Sequence, residues 1–417
     1  MPMREDWKDF VTDDVTLVFD LDSPCYMAAS AHETDVLIVT HKASGREVFK
    51  VKDKPIMKKV CVNPETQDPS YVGTEKTRLV DQDTGETENI RFKNKTDFQG
   101  RTKKVATGWL GDLNKKRVAE GKPTFAADEF ELTTEKELTG ELSWAINGLN
   151  SKIQRITDYL GISRVKHVIG SGDNHRHLLH LPINPNKTDQ PERGRYKGNR
   201  EPSLRPLLLE DVRDYAVRRL GAEEVTGIET DDVMNFYMWE SHMHYKKTGK
   251  HKYIIISPDK DTYMFNGMAF NNYVLPKQKE WSHPYPYLID GMGYIDFEGS
   301  KLKGDGILFC MGMMMVGDSA DNWLPTRHSK ISFGAKDAYT LLHDKTTPLE
   351  AIQATYDQYL AWYPEGTQFT SWDGKEMDLT ALEWLDMMWA AAYMLKSRKD
   401  TLTFTQVMDK VGAVYEK

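Results

Sequence analysis

The chain is 417 residues long, more than one ordinary domain of roughly 150 residues would hold, so two or three units are expected. Its 39% hydrophobic and 28% charged residues, with 10 Trp, 19 Tyr and 15 Phe to pack, exclude a disordered chain and fit a soluble globular protein. With 55 Lys and Arg against 63 Asp and Glu, the net charge of −8 excludes a uniformly basic nucleic-acid binder but allows a local basic face. Three cysteines, Cys25, Cys61 and Cys310, form no CxxC pair, which argues against a disulfide framework or a cysteine–zinc site and fits a reducing cytoplasm. The first ten residues are charged, and the longest apolar stretch, Ile307 to Val316, is about half a bilayer, so neither a signal peptide nor a membrane span is expected.

Val15 to Asp20 is a short run, apolar on both faces and ending on an acid, which reads as a buried strand of a parallel sheet. From His41 to Phe130 the chain is Lys-, Thr-, Asp- and Gly-rich, with strand-like pieces at Glu47–Val51 and Lys58–Val62 and a turn at Asp83–Gly85, as in an inserted module of strands and loops or a partly mobile lobe. Leu142, Ile146, Leu149, Ile153, Ile156 and Leu160 then recur four, three, four, three and four residues apart. That is one apolar stripe of a helix that stops at Gly161. A strand at Arg164–Ile169 follows, then a polar, basic, Pro-containing arch at 174–204. Helices at Arg205–Leu220 and Asp231–Tyr245 and a strand at Tyr253–Ser257 complete an alternation that predicts a mostly parallel α/β sheet flanked by helices. From Trp323 onward the pattern is helical, and the methionines of 311–315 read as core packing.

Ligand sites in open parallel sheets lie beyond the carboxyl ends of the strands. Acids stand there repeatedly: Asp20 and Asp22 after the first strand, Asp173 after the second, Glu229, Asp231 and Asp232 at a helix start, Asp259 and Asp261 after the Ile254–Ile256 run, and Asp318 and Asp321 after the 307–316 stretch. Two bare carboxylates about 4 Å apart repel by about 4 kcal/mol at an effective dielectric of ~20. A cluster of them calls for divalent cations, and oxygen-only ligation points to a pair of Mg²⁺ or Mn²⁺ ions, the machinery of phosphodiester chemistry.

The spaced motifs resemble those of the 5′→3′ exonuclease and flap endonuclease family, particularly its bacteriophage members (a PIN/FEN-like nuclease). They are Phe19-Asp20, with Tyr26 beyond; Gly172-Asp173 with Arg176; Arg195-Tyr196-Lys197-Gly198-Asn199-Arg200; Glu229-Thr230-Asp231-Asp232; Asp259-Lys260-Asp261; and Gly317-Asp318-Ser319-Ala320-Asp321-Asn322. Order and rough spacing agree over 11–30 and 141–343. The resemblance implies a two-metal-ion hydrolysis of DNA, or of RNA primers, at 5′ ends or 5′ flaps. Asp20, Asp173, Glu229 and Asp231 would hold the first Mg²⁺, and Asp232, Asp259, Asp261, Asp318 and Asp321 would hold or orient the second, with Mn²⁺ able to substitute. Lys197 and Arg200 would clamp the phosphate as catalytic residues. Arg176, Arg195 and Tyr196 would contact nucleic acid. Ser332-Phe333-Gly334-Ala335-Lys336-Asp337-Ala338 resembles the family's helix–hairpin–helix hairpin, so Gly334 and Lys336 would meet duplex phosphate, although Ser332 stands where the first glycine belongs.

This divides the chain into a first strand (1–30), an inserted strand-and-loop lobe (31–140), a nuclease core with its arch (141–322), and a helix–hairpin–helix-like and helical C-terminal region (323–417). Expected partners are DNA with 5′ ends or flaps and RNA–DNA hybrids, with no membrane, for a cytoplasmic monomer. In the lobe, Arg91 to Arg117 carries nine Lys or Arg against two acids, with Phe92, Phe98 and Trp109 interleaved. That pattern suits either a strand-tracking groove or a solvated face. His175, His177 and His180 lack the partners of a zinc site. Two alternatives stand beside the nuclease: a haloacid-dehalogenase-like phosphatase using Asp20-Leu21-Asp22, and a non-catalytic DNA-binding scaffold of nuclease descent.

Overall fold

The computed structural model describes residues 5–43, 45–52, 79–80, 87–88, 108–185, 188–200, 205–272 and 283–415. Two compact units emerge: Met1–Cys25, Leu149–Leu204 and Arg213–Lys417 form one, and Tyr26–Gly148 with Arg205–Val212 the other.

The first unit is built on a six-stranded sheet: β1 (Val11–Asp20), β2 (Val165–Asn174), β3 (Glu223–Gly227), β4 (His251–Ile256), β5 (Gly267–Phe270) and β6 (Tyr287–Ile289), in the spatial order β6-β5-β4-β1-β2-β3. All neighbours run parallel except β5 and β6. The apolar runs fall where the sheet is covered on both faces: Leu17, Val18 and Phe19 of β1 and Ile254, Ile255 and Ile256 of β4 are essentially inaccessible. Register sets Asp20 beside Val168 and Phe19 beside Ile256, which brings the ends of β1 and β4 level, while β2 runs on to Asn174.

Helices close the faces, as the alternating pattern predicts. In α1 (Leu142–Leu160), Leu149, Ile156 and Leu160 of the predicted stripe are buried. Helix α2 spans Leu209–Leu220. Helix α3 (Thr230–Thr248) packs across β1, β2, β4 and β5. It opens with Asp231 and Asp232 in its first turn and ends with Lys246 and Lys247 before Gly249, charges that complement the helix dipole.

The apolar stretch near 307–316 is α4 (Gly306–Val316), with Met311, Met313, Met314 and Met315 all buried. Around it pack α5 (Ala335–Leu342), α6 (Pro348–Trp362) and α7 (Ala381–Ala392), while α8 (Phe404–Val411) lies on α6 and α7. Tyr359 donates its hydroxyl to the Met314 carbonyl at 2.6 Å, and Trp384 and Tyr363 both donate to the Pro325 carbonyl, at 3.0 and 2.8 Å. A β-hairpin, Thr367–Thr370 with Glu376–Leu379, interrupts the helical pattern read from the sequence. No described helix is long and apolar enough to cross a membrane.

The second unit holds an antiparallel three-stranded sheet, Arg46–Lys52, Glu33–His41 and Phe130–Leu138 in that spatial order, and the helix Gly108–Ala119. The strand-like piece at Lys58–Val62, the Asp83–Gly85 turn and residues 91–107 of the basic, aromatic segment lie outside the described residues.

Candidate metal centre

The strand order reverses between β1 and β4, so the connections leaving their carboxyl ends diverge and open a crevice there. Acids stand on both lips. Asp20, the last residue of β1, is 8% exposed, and burial, with the charges of Asp22 and Asp259 beside it, pushes its carboxyl up to about 7. Asp231, in the first turn of α3, is raised well above the carboxylate range by burial and then by Asp259, Asp20 and Glu229. Asp261 is raised to about 7 by burial and Asp259, with Asp321 and Asp318 adding to it. The carboxylates thus form a continuous run in which each feels the next.

At one end of this run, Asp261, Asp318 and Asp321 place carboxylate oxygens within 4.8 Å of one another, and all three are buried. Three buried oxygen donors without nitrogen or sulfur fit a hard divalent cation such as Mg²⁺ or Mn²⁺ rather than zinc.

Local backbone chemistry shapes this end. Gly317 sits at φ 75°, and a Cβ there would lie 2.6 Å from the Trp323 carbonyl, so the turn after α4 requires glycine. Asp318 accepts from the Ala320 N–H at 2.7 Å. Its backbone pairs with Trp323, and the loop closes on itself. Among the described residues, two that are not glycine adopt left-handed conformations, Lys197 at φ 55° and Asn322 at φ 66°. They interlock: the Lys197 N–H donates to the Asp321 carbonyl at 2.9 Å, and the Asn322 amide donates to the carbonyls of Arg193 and Arg195 at 2.7 and 2.6 Å. Such backbone strain persists only where surroundings over-determine it, as here.

Cations and a phenol line the acids. The Lys197 ammonium bonds Glu229 and lies 3.5 Å from Asp321. Arg200 reaches Asp321 at 2.7 Å while its side chain stays largely exposed. The Lys260 ammonium bonds Asp318 and lies 3.5 Å from Asp261. Burial pushes the Asp318 carboxyl up, but Lys260 and the Ala320 and Asp321 N–H groups outweigh it and hold it below its ordinary value. The Tyr196 hydroxyl, in a fully buried side chain, lies 2.8 Å from Asp321 and 3.1 Å from Glu229. Burial and those two acids raise its pKa, so it remains a donor.

Several expected site residues have surroundings that the sequence did not indicate. The register shift between β2 and β3 falls at Gly170–Asn174, with Gly172 at φ 87°. This bulge leaves Asp173 exposed and buries Asn174, whose amide donates to Glu229 at 3.2 Å. Asn174, rather than Asp173, is thus the residue turned towards Glu229. Arg176 is 0% exposed. It grips Asp232 with two bonds of 2.8 Å. Tyr196 is also buried, with its hydroxyl on Asp321 and Glu229. Glu229 is tied to Lys197, Arg176, Tyr196 and Asn174. Arg195 is exposed, 5.9 Å from the Trp372 ring.

The expected duplex hairpin lies at the start of α5. Between α4 and α5 lies an extended loop, 317–334, and the Gly334 N–H at the start of α5 is occupied at 2.8 Å by the carboxylate of Asp337. That negative charge stands where a phosphate would need a free donor, while the Lys336 side chain is exposed.

Three participants were missed from the sequence. Lys260 was visible only as a spacer between two acids, and Asn174 and Asn322 only as residues next to them. Asp22 accepts from Thr230 at 2.6 Å, Arg213 at 2.7 Å and the Gly170 N–H at 3.2 Å. A Cβ on Gly170 would meet Thr230 Oγ1 at 2.5 Å, so only glycine permits this approach.

The raised carboxyls make the metal-free protein pH-sensitive. Asp20 and Asp261 keep protons up to about 7 when folded. In the unfolded chain they lose them near 4. The folded state therefore binds more protons between these values, and the stability this confers is lost as pH rises through 7. His251 and His328, lowered by burial to about 4, act oppositely, but only below about 6.5. Chelator-treated protein is therefore expected to melt lower at pH 8.5 than at pH 6.5, with added Mg²⁺ raising the midpoint more at pH 8.5. Equal midpoints by calorimetry at the two pH values would contradict the carboxyl repulsion.

No family model matches the chain, and no curated protein matches it. Among solved structures it is similar to a bacteriophage T5 protein co-crystallised with metal ions, at 15% identity and a TM-score of 0.32 over 60% of this chain and 79% of that one. It is also similar to a bacteriophage T5 flap endonuclease variant in a pseudo-enzyme–product complex with DNA and metal ions, at 16% identity and a TM-score of 0.31 over 50% and 69%. A mutant of the T5 5′-exonuclease is similar at 13% identity and a TM-score of 0.32 over 60% and 81%.

Proposed function

We propose that this chain is a metal-dependent 5′ nuclease that hydrolyses phosphodiester bonds at 5′ ends or 5′ flaps of DNA. The observation that carries this reading is the continuous run of mutually perturbed carboxylates at the switch point, ending in the buried triad Asp261, Asp318 and Asp321. So many acids held together, several against their own desolvation, are tolerable only with cations to neutralise them. The six motifs stand in the order of the exonuclease and flap endonuclease family, which supports the substrate class.

Asp261, Asp318 and Asp321 would hold one ion, and Asp20, Asp231 and Asp259 would supply ligands for a second. Such ions activate water and spread the charge that develops at phosphorus. The protein's own groups do the rest. Arg200, largely exposed yet anchored on Asp321, presents its remaining donors outward to phosphate oxygens. Lys197, with its backbone locked by Asp321, delivers a cation to the same edge. Tyr196 and Asn174 fix the Glu229 carboxylate, and the Asp22 N–H donates to the Asp20 carboxylate at 2.9 Å. Arg195, exposed beside these groups, would meet the nucleic-acid backbone. The phosphatase alternative needs Asp22 as a working acid, but its carboxylate is already engaged by Thr230, Arg213 and Gly170.

The direct test is a DNA duplex with an internally labelled 5′ flap, incubated with Mg²⁺ or with excess chelator. Chelator-sensitive release of mononucleotides or of an intact flap is expected. Binding without cleavage in Mg²⁺ and Mn²⁺ would favour the scaffold, and neither binding nor cleavage would overturn the reading. A second expectation concerns Lys197→Ala. Because this ammonium faces charge that develops during the reaction, the substitution should slow single-turnover cleavage by about 10²-fold while weakening duplex binding by no more than about threefold. Equal losses in both would reduce Lys197 to a binding contact.

A further inference from the structure

We propose that Lys260 is a built-in counter-cation of the Asp261–Asp318–Asp321 triad, occupying the place of a divalent ion and yielding when one enters. The inference rests on the metal reading above and assigns a role to a residue outside the ligand set. Three observations lead to it.

The first is position. Lys260 opens a short 3-10 helix, Lys260–Met264, whose first turn is capped by Asp259 accepting from the Asp261 N–H at 3.0 Å. This local geometry presents adjacent residues, one acid and one cation, to the same loop, and the ammonium bonds Asp318 while lying 3.5 Å from Asp261. It therefore touches two of the three triad carboxylates.

The second is electrostatics. Buried carboxylates this close repel one another unless a cation stands among them. Lys260 lowers the Asp318 carboxyl and opposes the rise at Asp261. On the opposite side Lys197 bridges Glu229 and Asp321 in the same way. Two ammonium groups thus close the triad, each shared between two acids.

The third is mobility of the charge. The Lys260 side chain is 43% exposed, against 12% and 10% for its partners Asp261 and Asp318. A lysine ammonium is a point charge on a flexible stem, unlike the fixed fork of arginine. It can swing into solvent without moving the backbone, so a divalent ion binds by exchange rather than by filling a bare anionic hole. The exchange keeps the site folded before loading and weakens its affinity for the ion.

The test is a titration of the full chain with Mn²⁺, following free Mn²⁺ by electron paramagnetic resonance, for the native protein, Lys260→Met and Lys260→Arg. Lys260→Met is expected to bind its tightest Mn²⁺ about fivefold more strongly, the scale of a lost half-exposed ion pair, and Lys260→Arg to stay within about twofold of native. Thermal melts supply a second readout: Lys260→Met should melt lower without metal and gain more on adding Mn²⁺. Equal affinities and equal metal-induced shifts in native protein and Lys260→Met would overturn the role of Lys260. Absence of Mn²⁺ binding in all three proteins would instead overturn the metal reading, and this inference with it.

Discussion

Replacing Arg176 with methionine is expected to destabilise the protein by about 3–5 kcal/mol, because it would leave a buried carboxylate without its counter-ion. Arg176 and Asp232 are both 0% exposed and share two bonds of 2.8 Å. The guanidinium also reaches Glu229 at 3.3 Å and bonds the Tyr393 carbonyl. Asp232 in turn accepts from the Leu395 N–H at 2.9 Å and the Glu229 N–H at 3.0 Å. This one pair therefore joins the start of α3, the segment after β2 and the segment after α7. Urea unfolding of the chelated protein measures the loss. The double variant Arg176→Met with Asp232→Leu should recover part of it, since an apolar pair avoids the desolvation cost of two buried charges. A single-variant loss below about 1 kcal/mol would show that water reaches Asp232 and that the pair is not a structural lock.

Cleavage should fall by at least about 10³-fold in Asp231→Asn or Asp259→Asn, the largest functional effect expected of any single change. Both substitutions preserve shape. The bond from the Asp261 N–H to Asp259 survives in asparagine, whose side-chain oxygen still accepts. What is lost is a charge, and in the metal-free protein that charge is repulsive: Asp231 is raised by burial, Asp259, Asp20 and Glu229, and Asp259 raises Asp20 and Asp261. Each asparagine variant should therefore melt higher than native protein in chelator while being inactive in Mg²⁺, the signature of acids retained for chemistry at the expense of stability. Duplex binding should remain measurable. Unchanged turnover in either variant would remove that residue from the machinery, and a lower metal-free midpoint would contradict the repulsion.

Much of the site was legible because it is local. Asp20, Asp259 and Asp261 follow apolar runs that can only be buried strands, and Asp231 opens a helix whose dipole favours an acid there. What misled was side-chain direction. Asp173 and Asn174 are neighbours, and a bulge between β2 and β3 decides which of them turns inward. Arg176 lies in a stretch rich in basic residues and looks like a phosphate contact, yet residues 393–395, over two hundred positions away, cover it. The Gly334 hairpin kept its glycine and lysine, but Asp337, three residues on, occupies the donor.

By itself the sequence determined the α/β class, the parallel core strands and the ring of acids at their ends, because apolar periodicity and strand-end chemistry act over a few residues. Only the tertiary structure decided which protein cation each acid meets. That choice depends on burial and on partners far apart in the chain: Arg176 takes Asp232, Lys197 takes Glu229, and Lys260 stands over Asp261 and Asp318. A carboxylate's role follows from the nearest positive charge, and only the folded chain determines which charge that is.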